Sequence, residues 1–128
     1  MSNIVSRIAR EWAQRAFGVR DVETPAIRAL RMVEEAIELC QALDVPKDKV
    51  ALTVETVYSR PVGQVEQEIG GVLLTMAVLT EVLGKNSDEL LERELRRVLR
   101  KAPEHFARRK EEKIALGLDM PAGVTQGA

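Results

Sequence analysis

Three glutamates, Glu34, Glu35 and Glu38, fall within about one turn of a predicted helix, in the run Met32-Val33-Glu34-Glu35-Ala36-Ile37-Glu38-Leu39. Side chains three and four residues apart share a helix face, so all three carboxylates can lean toward one point. Like charges at that spacing repel by about 0.2–0.5 kcal/mol. A fourth carboxylate, Glu68, falls by helical projection on an apolar arc with Val65, Val72, Leu79 and Val82. A carboxylate buried there without a partner costs several kcal/mol or takes up a proton. A metal shared by Glu68 with Glu35 and Glu38 would remove that cost. An oxygen-only donor set suits Mg²⁺ or Mn²⁺. The plainer alternative is a solvated face: Arg31 precedes Glu34 and Glu35 by three and four residues and can pair with either, and a place near a helix start leaves Glu68 partly wet.

Gly70 and Gly71 interrupt the same segment as Glu68. Each glycine inside a helix costs up to about 1 kcal/mol relative to alanine, so a pair suggests a need for space. That space is either a slot beside the carboxylate or the close approach of another helix. Further on, Arg93, Arg96, Arg97, Arg100, Lys101, Arg108, Arg109 and Lys110 form a basic cluster balanced by Glu92, Glu94, Glu104, Glu111 and Glu112. Most of these cations are expected on a solvated face, with one or two able to reach phosphates. His105 is the one histidine, and Ala102 stands where a Glu-x-x-His motif needs its glutamate, which argues against a di-iron carboxylate bundle. There is no Walker loop, dinucleotide fingerprint or nucleophile elbow.

The elements that must position these groups read as helices. Ile4, Ile8, Trp12 and Ala16 recur at helical spacing from about Asn3 to Phe17, and Gly18 is a stop. A short polar loop is expected next. Thr24-Pro25 then reads as N-cap and first position of a second helix reaching about Leu43. Lys47 to Ser59 is ambiguous, since Val50, Val54 and Val57 fit a helix while Val50, Leu52, Val54, Thr56 and Tyr58 alternate as in a strand. A lone strand has no partner elsewhere, so a helix is favoured. Gln64 to Leu83 is apolar almost all round, which predicts a central, buried helix. Asn86 and Glu89 have capping-box spacing before another helix. Pro103 opens a last one, kinked from its predecessor or separate, to about Leu116. The expectation is an all-α antiparallel bundle of four to six helices in a single domain, residues 1–116. A disordered tail is expected over 117–128.

Composition agrees with packed helices. The chain of 128 residues is one domain's length, carries a net charge of −1 and has few aromatics. Near-neutrality gives no bulk electrostatic case for nucleic-acid or membrane binding. The single cysteine, Cys40, excludes an internal disulfide framework and a cysteine zinc cluster, and fits a reducing compartment. The charged N-terminus lacks a secretory signal, and Ile69 to Leu79 is too short to span a bilayer, so a soluble, cytoplasmic protein is expected. The broad apolar surface of the Gln64–Leu83 segment suggests that its burial needs a partner.

At the two glutamate segments the chain resembles the MazG-like, all-α nucleoside triphosphate pyrophosphohydrolase superfamily. The family pattern is Glu-Glu-x-x-Glu on one helix and Glu-x-x-Asp on the next long one. Glu34-Glu35-Ala36-Ile37-Glu38 matches the first; Glu68-Ile69-Gly70-Gly71 matches the second except that Gly71 replaces the aspartate. The likeness covers roughly residues 8 to 110, with Glu-Trp-Ala near residue 12 and a late lysine, Lys101. It implies Mg²⁺-dependent cleavage of a nucleoside triphosphate, ribo or deoxy, to the monophosphate and pyrophosphate. It further implies that Glu35, Glu38 and Glu68 ligate the metal and that Glu34 ligates it or orients a water. Glu34 and Glu38 are then the candidate catalytic groups, and Lys101 and Arg31 the candidate substrate-binding cations. A homodimer or homotetramer is implied as well. The alternative is a helical relative that kept the fold and lost the chemistry through Gly71, acting as a nucleotide- or metal-binding or regulatory module.

Overall fold

The computed structural model describes residues 3–119, and every regular element among them is a helix. They are α1 (Asn3–Phe17), α2 (Val19–Val22), α3 (Pro25–Ala42), α4 (Lys47–Tyr58), α5 (Val65–Val82), α6 (Ser87–Leu99) and α7 (Pro103–Ala115). The all-α expectation holds. The count exceeds the expected four to six because Val19–Val22 is a helical turn rather than a polar loop.

The helix ends follow from local chemistry. Gly18 ends α1 with φ at 91°, a conformation that costs glycine nothing. Thr24 takes the extended N-cap conformation ahead of Pro25, but its hydroxyl donates to the Arg20 carbonyl at 2.6 Å instead of accepting from α3. Three helices close on the same C-terminal motif, with paired N–H donors returning to the last turn: Asp44 and Val45 close α3, Gly84 and Lys85 close α5, and Gly117 and Leu118 close α7. Asn86 caps α6 as its spacing predicts, its side chain accepting from the Glu89 N–H at 3.1 Å. The ambiguous Lys47–Ser59 stretch is helical. Thr53 and Thr56 donate to the Lys49 and Leu52 carbonyls at 2.8 Å, so the hydroxyls support the helix locally.

The packed part of the molecule is built on α1, which lies against α2, α6 and α7, while α2 leans on α3. Ile27, Val98 and Phe106 are buried there. Trp12, Phe17 and Phe106 meet edge to face at centroid separations of 5.3–5.7 Å, a favoured aromatic geometry.

The remaining helices depart from the expected bundle. α4 packs only on α3, and α5 has no substantial contact with any other helix. The prediction of a central, buried α5 is therefore corrected within the single chain. Gly84, at φ 66°, turns α6 to about 100° from α5, so α6 cannot fold back along it. Ile69, Leu74 and Val82 are left 55%, 67% and 77% exposed. No single described helix is long and apolar enough to cross a membrane. The expected disordered tail is answered only over Gly117–Asp119, where the Leu118 carbonyl accepts from Arg31; residues 120–128 lie outside the described range.

Candidate functional site

α3, α1, α6 and α7 border a half-open cavity of about 510 Å³, within the range usual for small-molecule sites. Glu35 and Glu38 of α3 line one side, joined by Glu94 of α6. Arg97, Lys101, Arg109 and Lys113 supply cations from α6, α7 and the link between them. Trp12, Phe17, His105 and Phe106 complete the wall. One space thus meets carboxylates, cations and aromatic surface.

The electrostatics of Glu35 reflect this crowding. Its carboxyl is raised above the ordinary glutamate value, first by partial burial and then by the charges of Glu38, Glu34 and Glu94, while Lys113 pulls the other way. A cation placed among these groups would relieve the repulsion. Glu94 is held low by the Arg97 guanidinium, which it meets at 2.5 and 2.8 Å. His105 stands edge-on to Phe106 at 5.1 Å and is lowered by loss of solvent and by Lys101, Arg109, Arg108 and Arg97.

Glu34 occupies a different environment from its neighbour. One carboxylate oxygen meets Arg31 at 3.3 Å, and the other meets the Lys113 ammonium at 3.1 Å. All three side chains are at most a quarter exposed. Arg31 therefore does pair with Glu34, as its spacing allowed, and it also donates to the Leu118 carbonyl. A second ionic cluster lies behind it. Asp21, only 4% exposed, receives Arg28 at 3.0 Å and Lys110 at 3.7 Å, and Lys110 also donates to the Phe17 carbonyl. Arg28 lies 5.3 Å from the Phe17 ring centre.

Of the residues singled out in the sequence, the structure brings Glu35, Glu38 and Lys101 to the cavity and ties Arg31 to Glu34 at its edge. Glu68 is elsewhere. It belongs to α5, is exposed, folds its carboxylate over Gly63, and neither lines the cavity nor contributes to the charge acting on Glu35. The expectation of a buried carboxylate on an apolar arc is thus corrected for the single chain: the arc itself is uncovered. Gly70 and Gly71 have open space where a Cβ would stand, so nothing among the described residues requires their smallness. Among the described residues no three His, Cys, Asp or Glu side chains converge as a ready metal cage.

Sequence reasoning missed Lys113, Glu94 and His105 as parts of this space. Glu94 and Lys113 looked like ordinary members of charged helix faces, and only the packing of α6 and α7 beside α3 distinguishes them. Comparison of the chain with protein-family models, with curated proteins and with solved structures found no match in any of the three.

Proposed function

We propose that this protein is a Mg²⁺- or Mn²⁺-dependent nucleotide pyrophosphohydrolase of MazG-like architecture, cleaving a ribo- or deoxyribonucleoside triphosphate to the monophosphate and pyrophosphate. One observation carries the reading: Glu35 and Glu38 share a cavity with Arg97, Lys101, Arg109 and Lys113 and with an aromatic wall. A metal–nucleotide complex presents the same three chemistries, a cation, phosphate oxygens and a flat base.

The donor chemistry fits the metal, since Glu35 and Glu38 are hard oxygen ligands under mutual repulsion. Glu35 and Glu38 would hold the Mg²⁺, which would supply neutralisation of phosphate charge and a more acidic water. Glu35 and Glu38 hold the metal side of the substrate. Lys101 and Arg97 face the phosphate oxygens and stabilise the charge that moves onto the leaving pyrophosphate. Glu38 also serves as the base that receives the proton of the attacking water. Glu34, anchored at both oxygens, fixes the orientation of α3 so that its two neighbours face the cavity. Trp12 offers an edge for the base.

The test is pyrophosphate release from a panel of NTPs and dNTPs with Mg²⁺ or Mn²⁺. Glu38→Gln is expected to lower kcat by about 100-fold or more. Absence of release from every nucleotide would sink the proposal. Gly71 favours a second reading, a module that binds metal and nucleotide without turnover. Calorimetry showing tight binding of Mg²⁺–nucleotide with no product would establish it.

A further inference from the structure

The near-neutral total of the chain conceals a strong division of charge. Residues 93–110 hold eight Lys and Arg against two Glu, a local charge of +6, so the rest of the chain carries −7. Six of the eight are arginines, whose planar fork matches phosphate oxygens. Arg96, Arg97 and Arg100 follow Arg93 by three, four and seven residues, which lays them along one face of α6 about 10 Å long. Arg108 and Arg109 of α7 meet the same corner. The imidazole of His105 is lowered there, beyond its loss of solvent, by four cations: Lys101, Arg109, Arg108 and Arg97. Arg93, Arg100 and Arg108 are exposed, lie outside the cavity wall and, among the described residues, have no carboxylate within ion-pair distance.

A free nucleotide does not need these three arginines. Inside the cavity four cations and one divalent metal would face Glu35, Glu38, Glu94 and a triphosphate, which balances to within about one charge. The outer arginines continue the positive field past the mouth, where only a longer anion meets them. The aromatic residues are placed elsewhere: Trp12, Phe17 and Phe106 in the cavity wall and Tyr58 on α4. The outer surface therefore offers contacts to phosphates without a stacking platform for bases. We propose that the α6–α7 corner binds the phosphate backbone of single-stranded nucleic acid, and that the cavity takes the 5′-triphosphate end of that strand. The backbone surface stands on the charge distribution; the 5′-triphosphate end rests on the pyrophosphohydrolase reading above. A single strand is favoured because its terminal nucleotide enters the cavity without breaking base pairs. Water attacks the α-phosphorus, the α–β anhydride bond breaks, pyrophosphate leaves and the proton passes to Glu38. The strand keeps a 5′-monophosphate.

Two measurements on the full chain test this. The first is fluorescence anisotropy, without metal, on a 5′-hydroxyl RNA of about ten nucleotides, a length within the usual footprint of a single-strand site. Binding is expected to fall steeply with salt. Arg93→Gln, Arg100→Gln and Arg108→Gln combined, with circular dichroism unchanged, are expected to reduce the slope of log K against log salt by about 2, as three lost phosphate contacts predict. No binding, a salt slope that the triple variant leaves unmoved, or binding to anionic lipid vesicles in place of the RNA overturns the surface. The second measurement compares pyrophosphate release from a 5′-triphosphate RNA with release from free NTPs. The RNA end is expected to be preferred in kcat/KM by about tenfold or more at low salt, and the triple variant is expected to lose that preference while cleaving free NTPs as the wild type does. A wild type that cleaves NTPs and gains nothing from the attached strand overturns the 5′-end assignment. A wild type that binds the strand and cleaves neither substrate overturns the hydrolase reading and the 5′ end with it, while the backbone surface stands.

Discussion

At the scale of single residues, Glu34, Glu35 and Glu38 are alike in sequence and unlike in surroundings. Glu34 is neutralised by Arg31 and Lys113, whereas Glu35 faces like charges and has lost part of its solvent. Because its folded pKa is raised above 4.5, the native state binds this proton more tightly than the unfolded chain does. Metal-free stability therefore falls as pH rises from the ordinary glutamate value through the raised one. Glu35→Gln is expected to raise the metal-free Tm at neutral pH and to abolish that part of the pH dependence, as melting curves across pH would show. Metal binding has the opposite sign, since it needs the carboxylate: Mn²⁺ affinity should decline on acidification earlier than for an unperturbed glutamate. Lys113→Met removes a charge that lowers Glu35, so the same decline should begin at higher pH. A titration in which Lys113→Met leaves the midpoint unmoved would separate Lys113 from the site.

At the scale of elements, the helices were legible because each carries its own boundary chemistry. Gly18, Thr24-Pro25, Gly84, Asn86 and Pro103 mark starts and stops that depend on neighbours in the chain. The pairing of helices was less legible. Nothing local says that α7 brings Lys113 to Glu34, or that Val19–Val22 forms a turn with Asp21 buried at its centre. The apolar run of α5 correctly marked a helix, but the central, buried place expected of it is not met within the chain. Asp21 is the joint between elements: it gathers Arg28 from α3 and Lys110 from α7 against α2. Asp21→Ala leaves both cations without their partner, and a loss of about 1–3 kcal/mol is expected in chemical denaturation. A loss below the error of that measurement would show the cluster to be solvated rather than structural.

At the scale of the whole molecule, the packed helices α1, α2, α3, α6 and α7 and the uncovered pair α4 and α5 divide the chain's stability into two kinds. The first depends on contacts within the chain, and the second finds little of its own chain to pack on. If copies pair through α5, stability must follow mass action, and Tm should rise with protein concentration. Differential scanning measurements over a hundredfold range of concentration would show a rising Tm; a constant one is expected only for a monomer.

The uncovered α5 also has a consequence for the life of the chain in a cell. If copies pair, a newly made one presents a long aliphatic helix until it meets another, and such surface is what chaperones hold and proteases select. Scarce copies would spend longer in that state than abundant ones. The steady level of the protein would then rise more steeply than its rate of synthesis, so that slow expression yields disproportionately little. The exposed helix would in that case act as a quality check on the supply of copies.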